Sequence, residues 1–364
     1  MSLVLVVNAG SSSLKLSVLD DADAVVAAGG VGEWDGQDTS ALDKVIEQAG
    51  ALDAVGHRVV HGGPDLRGPV VVGAETQAKI EALTPLAPLH QPRALAGIRA
   101  AAALLPGVPA VACFDTAFHA TLPAAAATYA LPLTWRELGV RRYGFHGLSH
   151  AWASRRAAEL LGRPAEELRL VTAHLGAGAS LCAVAGGRSV DTTMGFTPLD
   201  GLVMATRAGS VDPGALLWLQ RERGLVASDI ESALEHESGL LGLFGPSGDM
   251  RDVEAGLARH DADARLAYDV YIHRLRSSIA TMTASLSGLD ALVFTGGVGE
   301  HSAQVRADAC AGLAYLGLAL DPSANPSVAA DADVSDPAAA AATLVVTSRE
   351  DRQIAGETRS VVGA

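Results

Sequence analysis

The chain opens with Leu3-Val4-Leu5-Val6-Val7, followed directly by Asn8-Ala9-Gly10-Ser11-Ser12-Ser13-Leu14-Lys15. Five consecutive apolar residues that favour β-structure predict a strand buried on both faces, as in a mixed or parallel sheet. The small residues after it can turn N–H and O–H groups toward an anion, and Lys15 can add a point charge. Leu16-Ser17-Val18-Leu19 then returns as a second strand. The stretch predicts a β–phosphate turn–β hairpin, with an ordinary Ser/Gly turn as the alternative.

Composition limits the kind of protein this is. At 364 residues the chain is long enough for two domains with separate cores. Nearly half of the residues are apolar, yet no run approaches the ~18 residues of a membrane span, and the first residues do not form a signal peptide. We therefore expect a cytoplasmic protein. The net charge of -14 argues against a nucleic-acid surface, and the three cysteines form no C-x-x-C pair.

Strands and helices alternate along the chain. The predicted elements are strands 54–61, 109–114, 168–174, 180–185 and 289–294 and helices 76–84, 93–105 and 264–286. Two sets of strands, each leading to a glycine turn, predict an internal duplication of the fold. Segments 22–37 and 323–342, which are rich in small and acidic residues, are predicted to be surface loops or weak helix.

Two charged residues stand at unusual places in this pattern. Arg58 lies in the apolar strand of GHRVVHGG (56–63), where burying a guanidinium is costly unless it meets an anion. Asp115 follows the strand PAVACF (109–114), and ligands gather at the carboxyl ends of such strands. A helix N-cap is the alternative for Asp115. His57 and His61 are interpreted as a structural pair bonded to nearby backbone rather than as metal ligands.

Further glycine turns and cationic residues follow. His146 lies between two glycines in RRYGFHGLSH (141–150), and no Glu follows it as in the zinc motif H-E-x-x-H. The turns 174–180 and 295–302 each follow a strand and offer glycine N–H groups to a phosphate. Either turn alone is a weak signal, but with the first turn they make three candidate phosphate sites. The polar clusters 248–252 and 348–351 suit a nucleotide, Mg²⁺ or a solvated loop.

These motifs, in this order and spacing, resemble the acetate/propionate kinase family of the actin, sugar-kinase and Hsp70-like superfamily. The motifs that carry the resemblance are VNAGSSSLK, GHRVVHGG, APLH, FDTAFH, RRYGFHGLSH, HLGAGAS, DTTMGFTPLDGL…TR, GDMRD and FTGGVGEHS. The resemblance implies an α/β fold of two actin-like (ribonuclease H-like) domains with duplicated βββαβαβα topology and an interdomain active-site cleft. The implied domains are residues 1–117 with 352–364, and residues 118–351, the latter binding nucleotide and forming the dimer. It also implies a homodimer and Mg²⁺-dependent, reversible phosphoryl transfer from ATP to acetate, with Mn²⁺ as a substitute ion.

The resemblance also assigns roles to individual residues. Asp115, His146 and Arg207 would be catalytic, and Asn8 with Glu350 would hold the metal. The substrate would contact Arg58, Val60, Leu89, His90, Phe145 and Pro198. The nucleotide would contact Lys15, His174, Leu175, Gly176, Ala177, Gly178, Asp249, Met250, Arg251, Gly297, Val298, Gly299, Glu300 and His301. The chain departs from the family pattern at Ala177 and His301, where asparagine is usual, and at Met250, where an aromatic residue is common.

Acetate chemistry fits this set of residues. A carboxylate with a pKa of about 4 is ionised near neutral pH, so its attack on a phosphoryl group needs no general base. It needs cations that hold two anions in line, which fixed arginines provide. We therefore expect Arg58 and Arg207 to clamp the reactants, and Asp115 to orient a cation rather than remove a proton. One alternative is a related kinase or phosphatase of the same superfamily, such as a propionate kinase, which would need a larger acyl pocket. The other is a non-catalytic actin-like assembly protein, which would not need Arg58, His146 and Arg207.

Overall fold

The computed structural model describes residues 2–10 and 13–363, which form two compact units. The first unit contains residues up to Ala120, Phe145–Trp152 and the segment from Arg349; the second contains Thr121–Gly144 and Ala153–Ser348. The predicted domain limits stay a prediction, since contact within a unit does not by itself define a domain. None of the described helices combines the length and apolar character that crossing a bilayer requires.

The first unit is built on a mixed sheet with helices. Its strands in the described residues are β1 Val4–Ala9, β2 Leu14–Leu19, β3 Val25–Val31, β4 Ala54–Val59, β5 Val70–Val71 and β6 Ala110–Phe114. They lie in the order β3-β2-β1-β4-β6-β5, with β1, β4 and β6 mutually parallel and the other neighbours antiparallel. The helices of this unit are α1 Ser40–Ala49, α2 Ala74–Ala82, α3 Gln91–Leu104 and α14 Glu350–Val362, with 3₁₀ turns at Thr84–Leu86 and Ala117–Thr121.

The second unit repeats this pattern. Its strands, as far as the structure describes them, are β7 Arg169–Leu175, β8 Ala179–Ala185, β9 Arg188–Thr192, β10 Ala291–Thr295, β11 Ala332–Asp333 and β12 Ala342–Val345. Their order is β11-β12-β10-β7-β8-β9, again with a parallel β12-β10-β7 centre and antiparallel flanks. The same pairing pattern in both sheets confirms the predicted duplication.

The remaining helices lie between β6 and α14 along the chain. They are α4 Ala124–Ala127, α5 Leu133–Glu137, α6 Gly147–Leu161, α7 Pro213–Arg223, α8 Ala227–His236, α9 Gly239–Phe244, α10 Met250–Ala258, α11 Ala262–Leu286, α12 Gly296–His301 and α13 Ala303–Ala311. Among them, α11 and α12 contact strands of the second sheet. Short 3₁₀ turns lie at Ala165–Glu167, Ala314–Leu316 and Asn325–Ser327. Helix α6 contributes residues to both units.

Both faces of the first sheet are buried, as the opening strand predicts. Val4, Val6, Val111 and Cys113 pack with Ile354 of α14 on one face. The other face packs against α1 and α3 through a second set of residues, which includes Leu5, Val7, Val55, Val59 and Ala112. This alternation places neighbouring residues of one strand on opposite faces.

The loop predicted for residues 22–37 is wrong over Val25–Val31, which forms the edge strand β3. The strand was hidden because most of its residues are exposed and because Gly29 and Gly30 weaken the pattern. A Cβ at Gly30 would lie 2.5 Å from the Leu14 carbonyl oxygen, so close strand packing requires glycine there. Segment 323–342 likewise contains the short strand β11, which pairs with β12 at the sheet edge.

Candidate active site

The first group of predicted residues meets at the carboxyl edge of the first sheet. Asn8 lies near the end of β1, Arg58 near the end of β4, Asp115 directly after β6, and Glu350 at the start of α14. We call these four residues the arginine cluster. Gly56, two residues before Arg58, faces α14, because a Cβ there would lie 2.7 Å from the Ile354 side chain. The period of the strand therefore places Arg58 on the same face of the sheet, beside the first residue of that helix.

Arg58 is held by three side chains. Its Nε donates to Asp115 Oδ1 at 3.1 Å and its Nη2 to Asp115 Oδ2 at 2.6 Å, a bidentate pair. Its Nη1 donates to Asn8 Oδ1 at 3.2 Å, and Glu350 Oε2 lies 3.9 Å from its Nε. Asn8 Nδ2 completes the ring by donating to Glu350 Oε2 at 3.4 Å. The guanidinium is thus fixed in direction by side chains of the chain itself.

Burial and charge act against each other in this cluster. Burial disfavours the charged guanidinium, but the carboxylates of Asp115 and Glu350 outweigh it and raise the pKa of Arg58. Burial also raises the pKa of Asp115, with the Arg58 charge opposing it and the Glu350 charge adding to it. The Asp115 side chain is 1 % exposed, whereas those of Arg58 and Glu350 are 17 % and 16 % exposed, so Asp115 is the buried carboxylate of the cluster.

His146 lies beside this cluster in the fold. It precedes α6 and has a left-handed backbone with φ of +57°, which is uncommon for a residue other than glycine. The N–H of Gly147 donates to the Asp115 carbonyl at 2.8 Å. A Cβ at Gly147 would lie 2.2 Å from that oxygen, so only glycine allows the loop with His146 to approach Asp115 this closely.

The predicted acyl-pocket residues differ in exposure. Val60 and Phe145 are buried, Leu89 is exposed, and His90 and Pro198 are half-buried. The Phe145 ring packs edge-on against His61 with 5.5 Å between centroids. Lys15 is exposed and stands opposite Asn8 in the β1–β2 pairing, on the same face of the sheet. Ser11 and Ser12 of the predicted phosphate turn lie outside the described residues.

The two histidines of β4 and its loop have different surroundings. Gly63 N–H donates to His61 Nδ1 at 2.9 Å, which matches the predicted bonding to nearby backbone. The same prediction is wrong for His57, because neither of its ring nitrogens has a hydrogen-bond partner among the described residues. Burial lowers the pKa of His57 to about 3. This histidine is therefore a neutral core residue on the face of β4 opposite Arg58.

The second group of predicted residues surrounds a cavity of about 510 Å³ in the second unit. We call it the glycine-loop pocket. Its lining residues are Gly176, Ala177, Ala205, Thr206, Leu240, Gly248, Asp249, Met250, Arg251, Glu254, Tyr271, Gly297, Val298, His301 and Ser302. Eight of these belong to the predicted nucleotide set. The lining is mostly apolar and includes three glycines, which suits a flat aromatic ligand carrying phosphates.

The rest of the predicted nucleotide set lies outside the pocket lining, and Lys15 among these residues belongs to the first unit. Leu175 is buried in β7. Glu300 accepts the N–H groups of Gly296 and Ser348, each at 2.9 Å, and so fixes the turn after β10. His174 and Gly178 flank the turn after β7, and Gly299 is buried in α12.

Comparison with known proteins identifies the family of this chain. Residues 37–356 match the model of the Acetokinase family. The chain belongs to the acetokinase family. It is 46% identical to an acetate kinase of Synechococcus sp., over 97% of both chains. The solved acetate kinase of Porphyromonas gingivalis has a TM-score of 0.93 and 37% identity, and each chain is covered completely. A solved propionate kinase of Francisella tularensis has a TM-score of 0.92 and 35% identity, covering 99% of this chain and 100% of its own.

The predicted catalytic residue Arg207 of this acetokinase lies in the second unit. Its Nε donates to Glu235 Oε2 at 2.6 Å, and its side chain is 23% exposed. Glu235 lies 28 residues away on α8, so no local sequence pattern pairs the two residues. The carboxylate fixes one edge of the guanidinium, as Asp115 fixes Arg58.

Sequence reasoning missed several residues of the pocket. Leu240, Glu254 and Tyr271 lie on the helices α9, α10 and α11, where residues of these types are common for reasons of packing and solvation alone. Ala205 and Thr206 lie two and one residues before Arg207, and Ala205 N–H donates to the Ala177 carbonyl at 3.0 Å. The sequence signal for Ala205 and Thr206 was their position directly before Arg207, a predicted catalytic residue.

Proposed function

We propose that this chain is an acetate kinase, which transfers the γ-phosphoryl group of ATP reversibly to acetate and yields acetyl phosphate and ADP. The observation that carries the proposal is the arginine cluster, in a chain that belongs to the acetokinase family. A guanidinium that is fixed by a buried carboxylate and still partly exposed is suited to receive a carboxylate or phosphate. Arg58 is the group that binds acetate.

The acceptor makes a general base unnecessary. Acetate is ionised near neutral pH, and its oxygen attacks phosphorus directly and in line with the leaving ADP oxygen. Both oxygens of Asp115 are occupied by Arg58, which supports a positioning role for this carboxylate. Arg207 and His146 donate to the oxygens of the transferring phosphoryl group and stabilise its charge in the transition state.

The arginine cluster fits a magnesium ion in its chemistry. Asn8 and Glu350 offer oxygen ligands, and two carboxylates against one arginine leave the cluster with one net negative charge. The described residues contain no group of three His, Cys, Asp or Glu side chains arranged to hold a metal. Mg²⁺ is commonly bound by one or two protein groups together with substrate phosphates and water. When bound, Mg²⁺ neutralises charge on the phosphates of ATP, and we expect Mn²⁺ to substitute for it.

The glycine-loop pocket holds the nucleoside of ATP. Met250 and Val298 offer apolar contact to a base, and the glycine turns after β7 and β10 offer N–H groups to phosphate. Its volume of about 510 Å³ lies in the range of small-molecule sites. Ala177 in place of the usual asparagine removes one side-chain contact, so backbone groups carry more of the phosphate binding here.

Trapping of acetyl phosphate with hydroxylamine tests this function. Purified protein with Mg²⁺ and ATP should form acetyl hydroxamate from acetate, and form less product from propionate and butyrate at equal concentration. A higher kcat/KM for propionate would instead identify a propionate kinase. Absence of hydroxamate from all three acids in a folded protein that binds ATP would contradict kinase activity and favour a nucleotide-binding assembly protein.

Further expectations belong to this proposal. We expect a cytoplasmic homodimer with the dimer contact in the second domain. We also expect the domain limits given above, residues 1–117 with 352–364 and residues 118–351. Sedimentation equilibrium measures the oligomeric state, and limited proteolysis measures the domain limits.

A further inference from the structure

The backbone on both sides of His146 is held by one short segment of the chain. This segment begins at Asp115, directly after β6, and ends at His119 in the 3₁₀ turn Ala117–Thr121. His119 Nε2 lies 2.9 Å from the carbonyl oxygen of Phe145. Because a carbonyl only accepts, Nε2 carries the proton and donates it. Four residues earlier in the same segment, the Asp115 carbonyl accepts the N–H of Gly147 at 2.8 Å.

These two hydrogen bonds fix the two peptide planes that meet at the His146 Cα. The Phe145 carbonyl belongs to the plane before His146, and the Gly147 N–H belongs to the plane after it. The backbone angles φ and ψ of a residue are the rotations of those two planes. Anchoring both planes therefore holds His146 in its left-handed conformation, with φ of +57°. This conformation is energetically unfavourable for a residue that has a Cβ.

The His119 ring is itself fixed in direction. It is 1 % exposed. It packs edge-on against Phe118 and His150, with centroid distances of 5.8 Å and 5.7 Å. His150 lies one helical turn after His146, and its N–H donates to the His146 carbonyl at 2.9 Å. A ring held on two sides by aromatic neighbours offers its N–H to Phe145 in one direction only.

We propose that His119 is a positioning residue for phosphoryl transfer, which acts through the Phe145 carbonyl to hold His146 toward the transferring phosphoryl group. This inference rests on the proposed function of His146. Its physical basis is that a misplacement of about 1 Å at a reacting group can cost about 10²-fold in rate. Loss of the hydrogen bond from His119 frees the strained backbone at His146 to relax away from that position.

A double-mutant cycle separates positioning from general support of the fold. His119→Leu should lower kcat by about 10²-fold, with the KM values for acetate and ATP little changed. His119→Gln, whose amide N–H reaches as far as Nε2, should regain most of that loss. In a His146→Ala background, His119→Leu should cost little further kcat, because the group it positions is gone. An equal loss in both backgrounds, or a wild-type kcat for His119→Leu, would overturn the proposal.

Further measurements test the proposal where the double-mutant cycle does not decide it. If His146→Ala retains full kcat, the proposed role of His146 is wrong, and the positioning claim is then tested by the crystal structure of His119→Leu. In that structure His146 should leave the left-handed region, and a φ still near +57° would contradict the proposal. If His119→Leu does not fold, His119→Gln is compared with the shorter His119→Asn. Gln should be far more active, and equal kcat values for the two would count against the proposal.

Discussion

The arginine cluster and the glycine-loop pocket are built in opposite ways. The cluster consists of four polar side chains that come from β1, β4, the end of β6 and α14, and they hold one another through direct hydrogen bonds. The pocket consists of glycine turns and apolar side chains, such as Met250 and Val298, around an open space. The first region is held together by hydrogen bonds among its own polar side chains. The second is a cavity lined by turns and apolar side chains.

This difference indicates a division of labour. Fixed charges stabilise the charge that develops in a transition state, because they need no reorganisation during the reaction. Apolar walls and backbone N–H groups bind the substrate and the transition state about equally, which lowers KM without raising kcat. We therefore expect variants of the arginine cluster to lose turnover and variants of the pocket to lose nucleotide affinity.

The largest effect is expected at the two arginines. Arg58→Ala and Arg207→Ala should each lower kcat by about 10²–10³-fold, because each removes a fixed cation that meets an anion. Arg58→Lys is the matched variant, since it keeps the charge but not the bidentate fork, and it should recover only part of the loss. The rate of hydroxamate formation at saturating substrates measures all three. Normal turnover by folded Arg58→Ala would remove the cluster from the mechanism.

Substitutions at Asp115 test whether this buried carboxylate positions Arg58. Asp115→Asn should lower kcat by about 10²-fold, because one amide oxygen cannot accept both donors of Arg58, and Asp115→Glu should retain more activity because it keeps the charge. The kcat values of both variants in H₂O and D₂O, with phosphoryl transfer shown to be rate-limiting, decide between roles. If Asp115 only positions Arg58, the kcat of the wild type should show no solvent isotope effect that depends on Asp115. An effect that disappears in Asp115→Asn would identify Asp115 as a base.

The core beneath the arginine cluster should be sensitive to acid. His57 is neutral when folded, because burial lowers its pKa to about 3, whereas in the unfolded chain its pKa is about 6.5. The unfolded state therefore gains a proton that the folded state lacks, and stability falls as pH drops below about 6.5. Between pH 7 and pH 5, His57→Leu should lose about 2 kcal/mol less free energy of unfolding than the wild type.

Urea titrations at the two pH values measure this difference. His273→Leu, a substitution at an exposed histidine, is measured alongside as the matched substitution. The same acid sensitivity in His57→Leu and the wild type would show that His57 is protonated in the folded protein or partnered there.

The pocket should give the smallest effect. Met250→Ala removes apolar contact from a buried side chain in the pocket wall, and it should weaken ADP binding by about tenfold, since contacts of this size are worth about 1–3 kcal/mol. Its kcat at saturating ATP should stay near the wild-type value. Calorimetric titration with ADP gives the affinity, and a large fall in kcat with unchanged affinity would reverse the division of labour.

The sequence predicted the arginine cluster better than the pocket for a physical reason. Arg58 and Asp115 are charged residues in or after apolar strands, where burial has to be explained by a partner or a ligand. Tyr271 and Leu240 lie on helices, where a buried aromatic or aliphatic residue is typical of any core. The fold was predictable where strands are buried on both faces, as in β1, but not where an exposed edge strand such as β3 loses the apolar pattern. Partners far apart in the chain, such as Arg207 with Glu235, leave no local signal.

The dissociation constant of ADP for Arg58→Ala tests the central claim most directly. If the arginine cluster acts on the transferred group and the glycine-loop pocket binds the nucleoside, this variant should bind ADP as tightly as the wild type while its turnover is nearly abolished. Calorimetry on both proteins under the same conditions, with Met250→Ala as the reference for weakened binding, gives the comparison. An Arg58→Ala variant that folds but loses ADP affinity as far as it loses turnover would contradict the separation of the two sites.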